Sequence, residues 1–276
     1  MVWGCERWLI SAVPGNESVV AEGPDTGKSI SEVWPEDFPL LIKFIDARRD
    51  LSIQVHPDDE LAFRRHGCKG KTEMWYVCGA DEGAQLLCGL KKKINPREYV
   101  DLVESGRIAE ALSSYKVSEG DVFFLPAGRI HAIGGGCRIA EIQQSSDITY
   151  RIYDYGRPGL DGKPRPLHTE EAKEAIDYSV MEDYRTHYKP ERNSPVQIAS
   201  CPFFSTDFLE LDSSFCMNAE GCGDFVILVC LEGCGILKGE QAMQLNAGEA
   251  VLVPAKEKQL QISPEGLLKL LTVHAG

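Results

Sequence analysis

The stretch GDVFFLPAGRIH, Gly120 to His131, decides the fold. Asp121–Leu125 reads as a short strand, and Pro126, which has no N–H to give a ladder, ends it. Gly128 permits a tight turn, after which the chain re-enters with His131 pointing inward. A near copy, GEAVLVPAKEKQ, runs from Gly248 to Gln259. Two such segments imply two copies of one β-unit. In the second copy Gln259 stands in place of His131 and Lys256 in place of Gly128, so only the first copy is equipped to hold a metal.

Working outward, strand patterns fall at Leu40–Ile45, Leu51–His56, Glu73–Cys78, Gln85–Leu90, Asp121–Leu125, Arg138–Gln143 and Ile148–Tyr153, and they resume after about Arg192. Two interruptions read as helical. In NPREYVDLVESG, Asn95 is a candidate N-cap, Pro96 takes the first helical position, Glu98 the capping-box position, and Gly106 the stop. RIAEALSS reads as a second short helix, and TEEAKEAI, from Thr169, as another with acidic residues in its first turn. Gly120, Pro126, Gly128 and His131 fit G-x5-P-x-G-x2-H, which resembles the second signature of the cupins, small jelly-roll barrels that often hold a metal. The expected class is all-β: two cupin-like jelly-roll barrels or sandwiches with a small helical insertion. The expected division is a metal-binding domain over residues 1–166 with the insertion at about 95–114, a helical linker over 167–191, and a second, metal-free cupin-like domain over 192–276.

A net charge of −13 argues against a sequence-independent grip on nucleic acid. No apolar run approaches a membrane-spanning length, and the opening MVWGCERWLI lacks the layout of a secretory signal. The ten cysteines are scattered, several inside apolar runs, with no C-x-x-C pair. Reduced thiols in a cytoplasm are the expectation.

In LSIQVHPDDE, Leu51 to Glu60, strand alternation puts Ser52, Gln54 and His56 on one face. The Gln-x-His pair stands where cupins usually show His-x-His, and Glu73 opens the next strand. Either histidine alone reads more readily as a hydrogen-bonded core residue. Gln54, His56, Glu73 and His131 together, each beside a matching turn or strand, read as metal ligands. Two imidazoles, a carboxylate and an amide oxygen suit one Zn²⁺ per chain with a position left for substrate, although Fe²⁺, Mn²⁺ or Co²⁺ would accept the same set. His66, in the basic loop FRRHGCKG, and His168, His187 and His274 read as surface or structural.

FPLLIKFIDARRDLSIQVHPDDE, GKTEMWYV, FFLPAGRIHAIG and DITYRIYDYGR resemble the type I phosphomannose isomerases, in their shorter bacterial form, over nearly the whole chain. The resemblance implies interconversion of mannose 6-phosphate and fructose 6-phosphate, with zinc held by Gln54, His56, Glu73 and His131. It departs at the N-terminus. Relatives usually carry a longer segment before a Trp-Gly-Gly element, here Trp3-Gly4-Cys5, so an absent N-terminal strand or a misplaced start is expected. Moving a carbonyl between C1 and C2 needs a proton shuttle and stabilisation of a cis-enediolate. Glu141, sharing a strand face with Gln143, is the candidate base, with a surface carboxylate as the bland alternative. Arg151 on its own reads as a structural ion pair; the resemblance sets it beside the reacting carbons as a fixed cation. Lys43, Ser52 and Lys71 offer two charges and a hydroxyl for the phosphate, some distance from the metal, and the resemblance implies the same three. The substrate is a small sugar phosphate, and the protein a monomer or homodimer. The rivals are a dioxygenase-type cupin enzyme and a non-catalytic sugar-phosphate-binding cupin, which would have no use for Glu141 and Arg151.

Overall fold

The computed structural model describes residues 1–34, 37–219, 223–254 and 256–276. The chain divides into two compact units, Met1–Arg185 and Thr186–Gly276. In order, the first holds β1 (Gly4–Ile10), α1 (Ile30–Val33), β2 (Leu40–Ala47), β3 (Ile53–Val55), α2 (Asp59–His66), β4 (Glu73–Ala80), β5 (Gln85–Leu90), α3 (Pro96–Glu104), β6 (Leu112–Lys116), β7 (Val122–Leu125), β8 (His131–Ile133), β9 (Cys137–Gln144), β10 (Tyr150–Tyr153), α4 (Thr169–Ala175) and the start of β11 (Arg185–Thr186). Two sheets result, ordered β1-β2-β9-β4-β7-β11 and β10-β3-β8-β5-β6. One core cluster joins them, with Trp75, Phe123 and Ile139 from the first sheet against Leu86, Cys88 and Ile133 from the second. This is the cupin sandwich that the turn at Gly128 announces.

Register explains why the polar residues converge. Directly opposed residues of an antiparallel pair project to the same face. Across the larger sheet Trp8, Lys43, Glu141, Trp75 and Phe123 form one continuous row. Two residues along lies a second row, Leu41, Gln143, Glu73 and Leu125. Across the smaller sheet, Arg151 is opposite Gln54, Gln54 opposite His131, and His131 opposite Cys88.

Several local readings change. The Asn95 capping box forms with both halves in place, and α3 follows it. RIAEALSS is not an α-helix: Ile108–Ala111 makes a single 3-10 turn, and Leu112–Lys116 continues as β6 against β5. Of FRRHGCKG, residues 63–66 are the end of α2, which Asp58 caps and Gly67, at φ +66°, closes, and only residues 67–70 are loop. β1 starts within the Trp3-Gly4-Cys5 element and pairs with β2. α1 carries an unread capping box of Ser29 and Glu32. Residues 167–191 are divided between the units, and α4 lies in the first.

The second unit holds β12 (Val196–Ser200), β13 (Phe204–Leu211), β14 (Phe215–Asn218), β15 (Phe225–Glu232), β16 (Cys234–Lys238), β17 (Ala242–Asn246), β18 (Ala250–Pro254), β19 (Gln259–Pro264) and β20 (Leu268–Ala275). Its sheets, β12-β13-β20-β15-β18 and β14-β19-β16-β17, repeat the plan of the first unit. The echo is spatial as well as sequential. Val226 opposes Val253 as Glu73 opposes Leu125, and Gln259 opposes Asn218 as His131 opposes Gln54. Ala255 of the echoed Pro-Ala lies outside the described residues. Leu209, Leu228, Leu237, Leu245, Ile262 and Leu270 fill this second interior with hydrocarbon.

Candidate metal centre and active site

β3, β4 and β8 bring His56, Glu73 and His131 together so that one ligand atom from each lies within 4.8 Å of the others, all three side chains buried. The turn at Gly128 holds this arrangement, since its N–H bonds the His56 carbonyl at 2.8 Å. Gly128 has φ +88°, and a Cβ there would meet the Ala175 carbonyl at 2.9 Å.

The imidazoles are pre-oriented. His56 Nδ1 donates to the Ile148 carbonyl and His131 Nδ1 to the Arg129 carbonyl, each at 2.8 Å, which leaves both Nε2 lone pairs facing Glu73. Burial, with Lys71 and His131 nearby, drives His56 well below the ordinary histidine value. Burial, with Lys71 nearby, takes His131 to about 4. Both rings are therefore neutral at pH 7, with lone pairs 3.5 and 3.4 Å from the Glu73 oxygens. Glu73 Oε1 is buried with no hydrogen-bond partner among the described residues. Glu73 Oε1 faces the His131 Nε2 lone pair at 3.4 Å, an unfavourable meeting of two acceptors unless a cation joins them, so the donor set fits a metal ion. Gln54 stands alongside, its amide 3.3 Å from His131 Nε2, and either end of a carboxamide can be turned to the centre.

Around these atoms lies a charged network. Lys71 donates to Glu73 Oε2 and also lies 3.2 Å from His56 Nε2 and 3.4 Å from Glu141 Oε1. Lys43 reaches the same Glu141 oxygen at 3.0 Å and Glu6 at 3.4 Å, with its ammonium 5.4 Å from the Trp8 ring. Trp75 Nε1 donates to Glu141 Oε2 at 2.7 Å, and its ring lies edge-on to His131 at 5.1 Å. Burial opposes ionisation of Glu141, but Lys43, Lys71 and these hydrogen bonds outweigh it and hold the carboxyl well below the usual carboxylate range. Burial also opposes the charge on Lys43, and Glu141, Glu6 and Glu73 overcome it, so its pKa lies above the lysine norm. For Glu73, burial and the Glu141 charge win over Lys71, and its pKa moves upward.

Ser52 is buried, its hydroxyl 3.4 Å from the Gln54 amide oxygen. Arg151 is half-buried opposite Gln54 and donates through Nη1 to the Pro166 carbonyl at 3.1 Å. Lys71, expected in the phosphate clamp, lies with its ammonium on Glu73, one of the three grouped side chains. Lys71 precedes β4, and the Lys71 N–H bond to the Pro57 carbonyl curls it back toward His56. Glu6, Trp8 and Trp75 were missed. Alternation from Glu73 would have put Trp75 on the inward face, whereas Glu6 and Trp8 sit on β1, whose mixed sequence GCERWLI shows no clean apolar alternation. His66, at the C-terminal end of α2, bonds the Tyr150 hydroxyl at 2.8 Å, and His168 Nδ1 accepts the Arg151 N–H at 3.0 Å, so both are structural.

Comparison with known proteins decides the family. Mannose-6-phosphate isomerase ManA of Bacillus subtilis is 34% identical over 284 residues, 98% of this chain and 89% of its own. The chain belongs to the type I phosphomannose isomerase family. The profile of the type I phosphomannose isomerase catalytic domain matches residues 11–120, and that of the mannose-6-phosphate isomerase cupin domain residues 196–275. Mannose-6-phosphate isomerase of Streptococcus mutans is likewise 34% identical, over 98% of this chain and 88% of its own. The crystal structure of mannose 6-phosphate isomerase from Bacillus subtilis superposes with a TM-score of 0.88 at 33% identity, covering 98% of this chain and 89% of that one. A variant of phosphomannose isomerase from Salmonella typhimurium shares the fold at 16% identity, with a TM-score of 0.75 over 98% and 90% of the two chains. Among the described residues, no helix is long and apolar enough to cross a membrane.

Proposed function

We propose that this chain carries out the family's reaction, the interconversion of mannose 6-phosphate and fructose 6-phosphate, by way of a cis-enediolate, and that Gln54, His56, Glu73 and His131 would hold a Zn²⁺. The supporting observation is the orphaned Glu73 Oε1 facing the pre-oriented His131 lone pair, with His56 Nε2 3.5 Å from the other Glu73 oxygen. A divalent ion bound there would supply Lewis acidity toward the sugar. The protein's own residues do the rest. Glu141 is ionised and sits against Lys71, and this pair beside the ligands is our candidate for moving the proton between C1 and C2. In the free protein the two lysines make Glu141 a poor base. A substrate anion that takes up their charge frees it toward a working pKa, because burial then dominates. Arg151, opposite Gln54, offers a permanent cation to the enediolate. Lys43 and Ser52 are proposed to hold the phosphate, and the buried walls exclude water that would quench the intermediate.

Solvent-deuterium incorporation at C2 of the sugar phosphate, followed by NMR, tests the shuttle. Glu141→Gln should slow both exchange and net isomerisation by about 10²-fold or more. Exchange at the wild-type rate would remove Glu141 from the role. A dioxygenase-type or purely binding cupin predicts no isomerisation at all.

A further inference from the structure

We propose that Asp154 is the positioning residue for Arg151, acting through Arg165 and the Pro166 carbonyl. The inference rests on the reading that Arg151 faces the reacting sugar.

Asp154 lies one residue beyond β10 and three beyond Arg151, and only 5% of it is exposed. Arg165 grips it with a two-pronged fork, Nε to Oδ2 at 2.6 Å and Nη2 to Oδ1 at 2.7 Å. Such a fork fixes direction as well as distance. Arg165 is joined by one peptide bond to Pro166, whose carbonyl accepts from Arg151 Nη1. The intervening segment is closed on itself by a bridge between Pro158 and Pro164 and by the Gly159 N–H bond to the Lys163 carbonyl at 2.7 Å. Arg157 adds a second tether, with Nε on Asp154 Oδ1 at 2.9 Å and Nη1 on the Asp50 carbonyl just before the Leu51–His56 stretch that carries two ligands.

The guanidinium of Arg151 has little else to orient it. Its backbone is fixed by a reciprocal pair with His168, at 3.0 and 2.7 Å, but its Nε is buried without a hydrogen-bond partner among the described residues. The Pro166 carbonyl is therefore the contact that sets the direction of the side chain, and that carbonyl goes where Asp154 holds Arg165. There is also an electrostatic need. Arg157 and Arg165 both repel the Arg151 charge, while Asp154 attracts it. Neutralising Asp154 removes the fork and leaves three neighbouring guanidinium groups to spread apart.

A double-mutant cycle on the metal-loaded full chain separates positioning from general stability. Asp154→Asn and Arg165→Lys are each made in the wild-type and in an Arg151→Ala background, and kcat and KM for mannose 6-phosphate are measured. In the wild-type background each should lower kcat about ten-fold, with KM changing less than about three-fold. In the Arg151→Ala background each should change kcat less than about two-fold. Equal losses in the two backgrounds would overturn the proposal and mark Asp154 as structural support. If Asp154→Asn does not fold, the Arg165→Lys cycle decides, since it keeps the charge and loses only the fork. An Arg151→Ala protein with wild-type kcat would instead overturn the reading beneath the proposal, a result distinct from equal losses.

Discussion

Glu73 concentrates the chemistry of the whole chain in one side chain. It is fully buried, bonded to Lys71 on one oxygen and orphaned on the other. Glu73→Gln keeps the shape and removes the charge, so metal retained after gel filtration, read by mass spectrometry, should fall at least about ten-fold. The flanking histidines give a pH signature in the metal-free protein. The His131 pKa is about 4 folded, against about 6.5 unfolded. Its neutral form therefore adds stability above the unfolded value, and that contribution is lost as pH falls from about 6.5 toward 4. The loss from this residue is about 2 kcal/mol by pH 5. Urea unfolding of metal-free protein should show that fall, and His131→Gln should flatten it; parallel curves would count against buried neutral imidazoles. That His56, Glu73 and His131 come together, with Gln54 alongside, was legible beforehand because strand alternation and the turn at Gly128 fix which residues share a face. The orientation of Lys71 was not, because a long flexible side chain takes its place from partners remote in sequence.

At the scale of the element, the turn between β7 and β8 is where local sequence and site meet. Pro126 ends one strand, and Gly128 sets both the entry of His131 and the bond to the strand bearing His56. Gly128→Ala forces a Cβ into a left-handed turn and against the Ala175 carbonyl. It should cost about 1–3 kcal/mol in urea unfolding and weaken zinc binding, measured by competition with a chromogenic chelator. Unchanged affinity would show that the turn does not govern the ligand. The Asn95 helix was readable to its capping box because caps are local hydrogen bonds. RIAEALSS was misread because Leu112 and Ser114 are claimed by β5, a tertiary partner that helix propensity knows nothing of. α2 was missed for the opposite reason: its polar, basic face resembles a loop until Asp58 and Gly67 are recognised as its ends.

For the molecule as a whole, one β-plan occurs twice with different interiors. The first interior is crossed by charged rows, and the second is packed with leucine and isoleucine, with Val226 at the position that Glu73 occupies in the first. One metal per chain is therefore expected by elemental analysis, and a stoichiometry near two would contradict the assignment. Exhaustive chelation should abolish isomerisation, and added Zn²⁺ should restore it in a coupled assay. The amino-acid sequence by itself determined the all-β class, the repeated β-unit, the four ligand candidates and the family, because strand period, turn chemistry and motif spacing are local properties. The tertiary structure alone decided that Lys43 and Lys71 converge on Glu141, that Trp75 donates to it, and that Arg165 forks onto Asp154. Those contacts join residues that are far apart in the chain or in separate loops, and they follow from strand register and burial, which no local pattern encodes.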